Sequence, residues 1–187
     1  MIITRSTTVD DYIAGTGCWQ DASPTERTNL ARALRYFVRH VPLHVLNEPD
    51  HSSPWGPVRG RRTRLLSWLQ AIAMSNVVNP SRVLWPDQRL RQFRVFGEPM
   101  TRLGNWFTWE STPLAQLALP AGQTVERVVR VTRIIWCLEC TVGDAFAGWA
   151  RPSDRPFADY RHGGGRQLFI YRDGIGQLSL ERVEGVG

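Results

Sequence analysis

Three short segments of this 187-residue chain carry residue types that could do chemistry together. Arg94-Val95-Phe96-Gly97 puts a guanidinium near the end of a predicted strand. Gly104-Asn105-Trp106-Phe107-Thr108-Trp109-Glu110-Ser111-Thr112-Pro113 sets aromatic rings beside hydroxyls and a carboxylate, and continues to Leu117-Ala118-Leu119-Pro120. His162-Gly163-Gly164-Gly165-Arg166-Gln167-Leu168-Phe169-Ile170 delivers a primary amide directly after a glycine run. Cleavage of the nicotinamide–ribose bond of NAD would use such parts. It passes through an oxocarbenium-like state, as glycoside hydrolysis does. It needs an arginine for the diphosphate, an aromatic ring to hold nicotinamide, and a polar group beside the ribose where charge develops. Arg94 could grip phosphate, Trp106 or Phe107 could stack, and Gln167 could address the ribose. The glycines around Gly164 would let a ligand approach the backbone closely.

Each segment also has an ordinary reading. An outward-facing arginine between Phe93 and Val95 on a strand would look the same, as would a core of Trp106, Phe107 and Trp109. A glycine run can be a turn and nothing more, and this one does not follow a strand and open a helix as a phosphate-binding loop does. The sharper reading rests on all three segments occurring in this order.

The elements that must position these residues change character along the chain. Ser23-Pro24-Thr25-Glu26 is a helix start: Ser23 caps, Pro24 fits the first turn and Glu26 completes a capping box. Leu30, Leu34, Phe37 and Val38 then recur at helical spacing up to about His40. Residues 47–60 are turn chemistry throughout. A second helix is predicted over Thr63–Met74, and Asn79-Pro80 is read as ending it. Beyond about residue 90, runs rich in Val, Ile, Phe and Trp predict strands at Leu90–Phe96, Asn105–Trp109, Thr124–Val131, Ile134–Cys140, Arg166–Tyr171 and Gln177–Val183. Asp173-Gly174 and Gly176 suggest a hairpin between the last two, and Pro113–Leu119 suggests one helical turn. The expectation is one α+β domain over 1–187, with N-terminal helices packed on a mixed, mostly antiparallel sheet. Residues 1–85 supply helix and loop, and 86–187 form a β-rich core.

Bulk properties narrow the function. The formal net charge is +6, and the 23 basic residues are all arginine. Such a surface could meet a nucleotide, a nucleic acid or an acidic protein, although arginine enrichment from a GC-rich genome would give the same count. No stretch reaches the roughly 20 apolar residues of a membrane span. Met1-Ile-Ile-Thr-Arg leads to Asp10 and Asp11 rather than to an apolar run, which reads as no secretory signal and a cytoplasmic location in the producing cell. The three cysteines do not make a disulfide framework. Cys137 and Cys140 form a CxxC with no second pair, so buried thiols on a strand are favoured over a zinc site, and no metal is expected.

The order of the motifs resembles the NAD glycohydrolase toxins of the tuberculosis necrotizing toxin type and the wider ADP-ribosyltransferase-like toxin domains. There an Arg-aromatic-Gly strand precedes a Gly-aromatic segment, a TP…ALP stretch and a closing Gly-Gly-Gly-x-Gln strand. Thr112-Pro113 with Ala118-Leu119-Pro120 looks like the middle element, and Gly163-Gly164-Gly165-Arg166-Gln167 like the last, over roughly Leu90 to Ile170. The resemblance implies an ADP-ribosyltransferase-like fold with NAD bound as substrate. Arg94 would hold the diphosphate, and Trp106 or Phe107 would stack on nicotinamide. Thr108 or Ser111 would bond the ribose, and Gln167 would orient the ribose or the attacking water. His162, Gly164 and Glu110 would lie near the cleft. Gln167 in place of a catalytic glutamate favours hydrolysis over transfer. One departure stands out: Val95 separates Arg94 from Phe96, where the family's arginine directly precedes the aromatic. A shift of one residue on a strand changes its face, so Arg91, Arg102 or an arginine of the 59–64 cluster are alternatives.

Three functions follow from these readings. The first is an NAD glycohydrolase toxin, delivered into target cells and held in check in its producer by an acidic inhibitor or immunity protein. The second is an ADP-ribosyltransferase modifying a protein or nucleic acid. The third is a basic nucleic-acid-binding module using its eight tryptophans for stacking.

Overall fold

Among its described residues the N-terminal part holds four helices, and the sequence specifies the starts of the first two closely. Thr8 caps α1 (Val9–Thr16), with its side chain accepting from the Asp11 N–H while the Asp11 carboxylate accepts from the Thr8 N–H, and Gly17 ends the helix at φ 69°. Ser23 and Glu26 close the same reciprocal box on α2 (Pro24–His40). Leu30, Ala33, Leu34, Phe37 and Val38 form its buried stripe. A short α3 (Leu43–Asn47) follows, and the Asn47 side chain bonds both backbone groups of Ile3. On α4 (Arg64–Ala73), Leu65, Leu69 and Ile72 are buried, and the Trp68 ring stacks on Phe37 at 5.4 Å. The helix predicted up to about His40 therefore forms, the one predicted over Thr63–Met74 forms over Arg64–Ala73, and α1 and α3 are additions. The signal for α1 was present as Thr8-x-x-Asp11.

This is a computed structural model, and it describes residues 1–49, 63–73, 76–95, 103–117, 124–142, 145–146, 160–161 and 163–181. They belong to two compact units, Met1–Pro80 and Ser81–Gly187. The fold is α+β. Among the described residues no helix is long and apolar enough to cross a membrane.

The β part is a seven-stranded sheet. Its strands are β1 (Asn76–Leu84), β2 (Arg89–Val95), β3 (Trp106–Trp109), β4 (Thr124–Val131), β5 (Ile135–Thr141), β8 (Arg166–Phe169) and β9 (Leu178–Glu181), in the spatial order β1-β5-β8-β3-β2-β4-β9. The pairs β5–β8, β8–β3, β3–β2, β2–β4 and β4–β9 are all antiparallel. Two short strands, β6 (Ala145–Phe146) and β7 (Tyr160–Arg161), pair separately.

One connection dictates the shape of this sheet. β4 and β5 are joined only by residues 132–134 yet lie four places apart in the order. Four strand spacings in a flat sheet span about 19 Å, whereas four Cα steps reach at most about 14 Å. The sheet must therefore curl, as twisted sheets do. Leu84, Leu90, Phe107, Val129, Val131, Ile135, Cys137, Leu168 and Ile170 gather into one core along its inner face.

Two expectations are corrected. Asn79-Pro80 does not end a region; it lies inside β1. Proline is tolerated there because β1 is an edge strand, where a missing N–H need not break a ladder. Earlier on the same strand, the Val77 N–H donates to the Asn29 side chain and the Val77 carbonyl accepts from Arg32, so α2 occupies that stretch of backbone. The hairpin expected around Asp173-Gly174 does not form either. β8 is internal and β9 pairs with β4 at the far edge, with Asp173 and Gly174 in a short α5 (Arg172–Ile175).

Candidate functional site

The three segments singled out in the sequence become spatial neighbours on β8, β3 and β2. Register aligns them further. Gln167 lies opposite Thr108, and Thr108 lies opposite Arg91, so one row crosses the sheet as Cys140–Gln167–Thr108–Arg91–Val128. Residues directly opposite one another share a face. The adjacent row, Glu139–Leu168–Phe107, belongs to the other face.

This alternation separates the aromatic candidates. Phe107 is 2% exposed and packed in the core with Leu168 and Ile170. Burying a phenylalanine is worth roughly 1.5–3 kcal/mol, which keeps it there rather than in a ligand site. Trp109 shares that inner face, donates its indole N–H to Glu139 at 3.3 Å and carries the Arg82 guanidinium 5.5 Å from its ring centre. Trp106 alone of the three shares the face of Gln167 and Thr108. It is half-buried and meets Phe169 edge to face at 5.1 Å.

The hydroxyls divide similarly. Thr108 is buried and donates to the Arg166 carbonyl at 2.6 Å, so its hydrogen is committed to holding β8. Ser111 is exposed in the turn after β3. Glu110 beside it forms an exposed ion pair with Arg89 at 3.0 Å. Gln167 is half-buried, with Arg166 before it exposed and Leu168 after it fully buried.

The glycine run meets the TP segment directly. The Gly165 N–H donates to the Gln116 carbonyl at 2.9 Å, and Gly164 and Val142 bond in turn at 2.7 Å. A Cβ on Gly165 would lie 2.8 Å from both the Gln116 oxygen and the Thr112 methyl. Gly165 is thus glycine because the 3-10 turn Leu114–Gln116 packs against it. Gly164 differs: its φ is +102° and nothing lies within 4 Å of its would-be Cβ, so its backbone faces open space.

Arginine placement is the largest departure from expectation. Arg91, not Arg94, stands in the row of Gln167, and its guanidinium is occupied. Nε and Nη2 bind the two Glu126 carboxylate oxygens at 2.6 and 2.8 Å, while Nη1 donates to the carbonyls of Glu110 and Thr112 at 3.2 and 3.3 Å. The Glu126 carboxylate pushes the Arg91 pKa further up. A diphosphate would have to displace that partner, so Arg91 is an anchor rather than a phosphate grip. Arg94 lies three residues further along β2, opposite Val125. The Arg94 side chain, His162, Arg102 and Arg59, Arg61 and Arg62 lie outside the described residues, and Arg64 pairs with Glu48.

Sequence reasoning did not single out Glu126 or Gln116. Neither has a local signature: Glu126 matters because β2 and β4 pair in a register that brings it to Arg91. The CxxC resolves plainly. Cys137 and Cys140 are both buried on β5, and three residues apart on a strand they point to opposite faces. Among the described residues no three His, Cys, Asp or Glu side chains gather as a metal site would require.

No known family's sequence profile matches the chain, and no curated protein matches it at a significant level. Among solved structures, a chain in the structure of Tse6 in complex with Tsi6 aligns with a TM-score of 0.46 and 19% identity, over 85% of this chain and 98% of that one. A likeness of that degree carries no argument about the site.

Proposed function

We propose that this chain is an NAD glycohydrolase, cleaving the bond between nicotinamide and ribose and adding water to the ribose carbon. The observation that supports the reading most is the in-register alignment of Gln167 with Thr108 on adjacent strands, with Trp106 two residues along the same face. A primary amide and an edge-anchored indole then share one face, and the exposed backbone of Gly164 lies three residues before the amide. Gln167 orients the ribose or the water, Trp106 holds nicotinamide and Ser111 bonds a ribose hydroxyl, while Arg94, of the other parity on β2, is the arginine to test first for the diphosphate. Phe107 and Thr108 have structural work elsewhere and take no part in this scheme.

The reading is tested by incubating the purified protein with NAD and separating the products. Nicotinamide and free ADP-ribose in equal amounts are expected, with turnover lost in Gln167→Ala while the circular dichroism spectrum is retained. ADP-ribose attached to a protein or nucleic acid would indicate transfer instead. Intact NAD, both alone and with cell extract added, would refute the enzyme reading. The same proposal carries a partner: the net charge of +6 favours an acidic inhibitor in the producing cell. Co-purification that yields no acidic protein counts against that part.

A further inference from the structure

We infer that Arg91 is a positioning residue, holding Gln167 in place through the turn Glu110–Thr112. The inference rests on the proposed function only for what Gln167 does; the geometry stands apart from it. The chain of contacts begins on β4, where the Glu126 carboxylate takes two of the guanidinium's donors and fixes its plane. The Arg91 Nη1 then binds two carbonyls of the turn, those of Glu110 and Thr112.

Thr112 passes the constraint on. Its methyl lies 2.8 Å from where a Cβ on Gly165 would be, and its hydroxyl reaches the Arg166 carbonyl at 3.5 Å. Thr108 donates to the same carbonyl at 2.6 Å. That oxygen belongs to the peptide plane whose nitrogen is Gln167's own. Fixing the plane fixes the direction in which the Gln167 side chain leaves the strand. Remote side chains that set such a direction influence rate strongly, because displacements near 1 Å at a reacting centre can cost on the order of a hundredfold.

The role is specific to arginine. Four acceptor atoms are met here by donors in a rigid planar fork, whereas a lysine ammonium offers three donors on a flexible stem. Arg91→Lys keeps the charge and loses the fork. The Arg91 guanidinium carbon also lies over Phe93, 4.9 Å from the ring centre, which gives the planar head group a further contact that an ammonium would not reproduce in shape.

The experiment uses the full chain labelled with nitrogen-15. The Gln167 side-chain amide pair is identified by its loss in Gln167→Ala, then followed in Arg91→Lys and Glu126→Gln. The expected result is a displaced or broadened Gln167 pair in both variants, larger for Arg91→Lys. With NAD, kcat falls on the order of a hundredfold for Arg91→Lys while KM changes little, and Arg91→Lys adds no further loss in the Gln167→Ala background. An unmoved Gln167 pair in a folded variant overturns the inference, whatever NAD does. A displaced pair in a protein that leaves NAD intact upholds the inference and fails the proposed function instead. Should Arg91→Lys not fold, Glu126→Gln, which leaves the arginine in place, decides by the same two readouts.

Discussion

Replacing Gly165 with alanine tests whether the glycine run is packing or only a turn. The new Cβ would stand 2.8 Å from the Gln116 carbonyl oxygen, 2.8 Å from the Thr112 methyl and 3.1 Å from the Gln116 Cβ. Two of those three neighbours cannot swing away cheaply. The Gln116 carbonyl is backbone and already accepts the Gly165 N–H at 2.9 Å, so moving it strains or breaks that bond. Overpacking of this kind costs about 1–3 kcal/mol, and loss of the hydrogen bond adds about 1 kcal/mol. A total near 3 kcal/mol lowers the thermal midpoint by roughly 6–12 °C for a chain of this size.

The assay is thermal unfolding of wild type, Gly165→Ala, Thr112→Ser, and the double variant. Thr112→Ser removes the methyl and leaves the Gln116 oxygen, so the double variant should recover part of the loss and not all of it. Gly164→Ala is the contrast. It meets no atom within 4 Å, but at φ +102° it forces a side chain into strained backbone, costing about 1–3 kcal/mol. Thr112→Ser should not relieve it. Gly165→Ala with stability within about 0.5 kcal/mol of wild type, or a Gly165→Ala loss that Thr112→Ser leaves untouched, would refute the packing argument.

Two further outcomes follow from buried and half-buried titrating groups. Burial, with the Glu139 charge second, pushes the Cys140 thiol up to about 12 and Cys137 also well above the ordinary thiol range. Iodoacetamide at about pH 8 should therefore add one label to the native protein, at the half-buried Cys18, and three once it is denatured, counted by intact mass; three labels on the native protein would contradict the placement of β5. His40 is held below the usual histidine range by burial first, then by Arg39 and Arg5. The unfolded state therefore binds more protons than the folded state as pH falls below about 6.5, and stability drops in that window. His40→Gln should flatten the dependence of the thermal midpoint between about pH 7 and 5.5, and an unchanged slope would assign it to other groups.

Local rules carried the sequence reading well where an element is specified by its own residues. The Ser23–Glu26 box and the stripe through Leu30, Leu34 and Phe37 marked the start of α2 and its extent to about His40, and the Thr124–Val131 strand formed with its predicted bounds. What failed depended on sheet order. Asn79-Pro80 looked like the end of the helical region because Asn-Pro is breaker chemistry, and nothing local says that these residues lie in a strand at a sheet edge. Asp173-Gly174 looked like a hairpin turn because the sequence does not reveal that β9 pairs with β4. The candidate site was half legible for the same reason. The three segments could be found by residue type, but whether Trp106 or Phe107 shares a face with Gln167 is a matter of register.

Register also bears on the arginine. In a sheet of period two, the partner of Gln167 across β3 is an odd-numbered residue of β2, and the structure puts Arg91 there, with Glu126 taking its fork. A second arginine on that same parity, next to Phe96, would stand at position 95. This chain instead has Val95 there and Arg94 one position earlier. If the diphosphate is gripped by Arg94, the ligand must reach it from the side of the strand that Leu90 and Gln92 occupy in the sequence alternation. If it is not, another arginine supplies the charge, and Arg94→Ala will leave the KM for NAD unmoved. An Arg94→Ala variant with unchanged kcat and a KM raised on the order of tenfold or more, which is about 1.4 kcal/mol of lost binding, assigns the grip to Arg94.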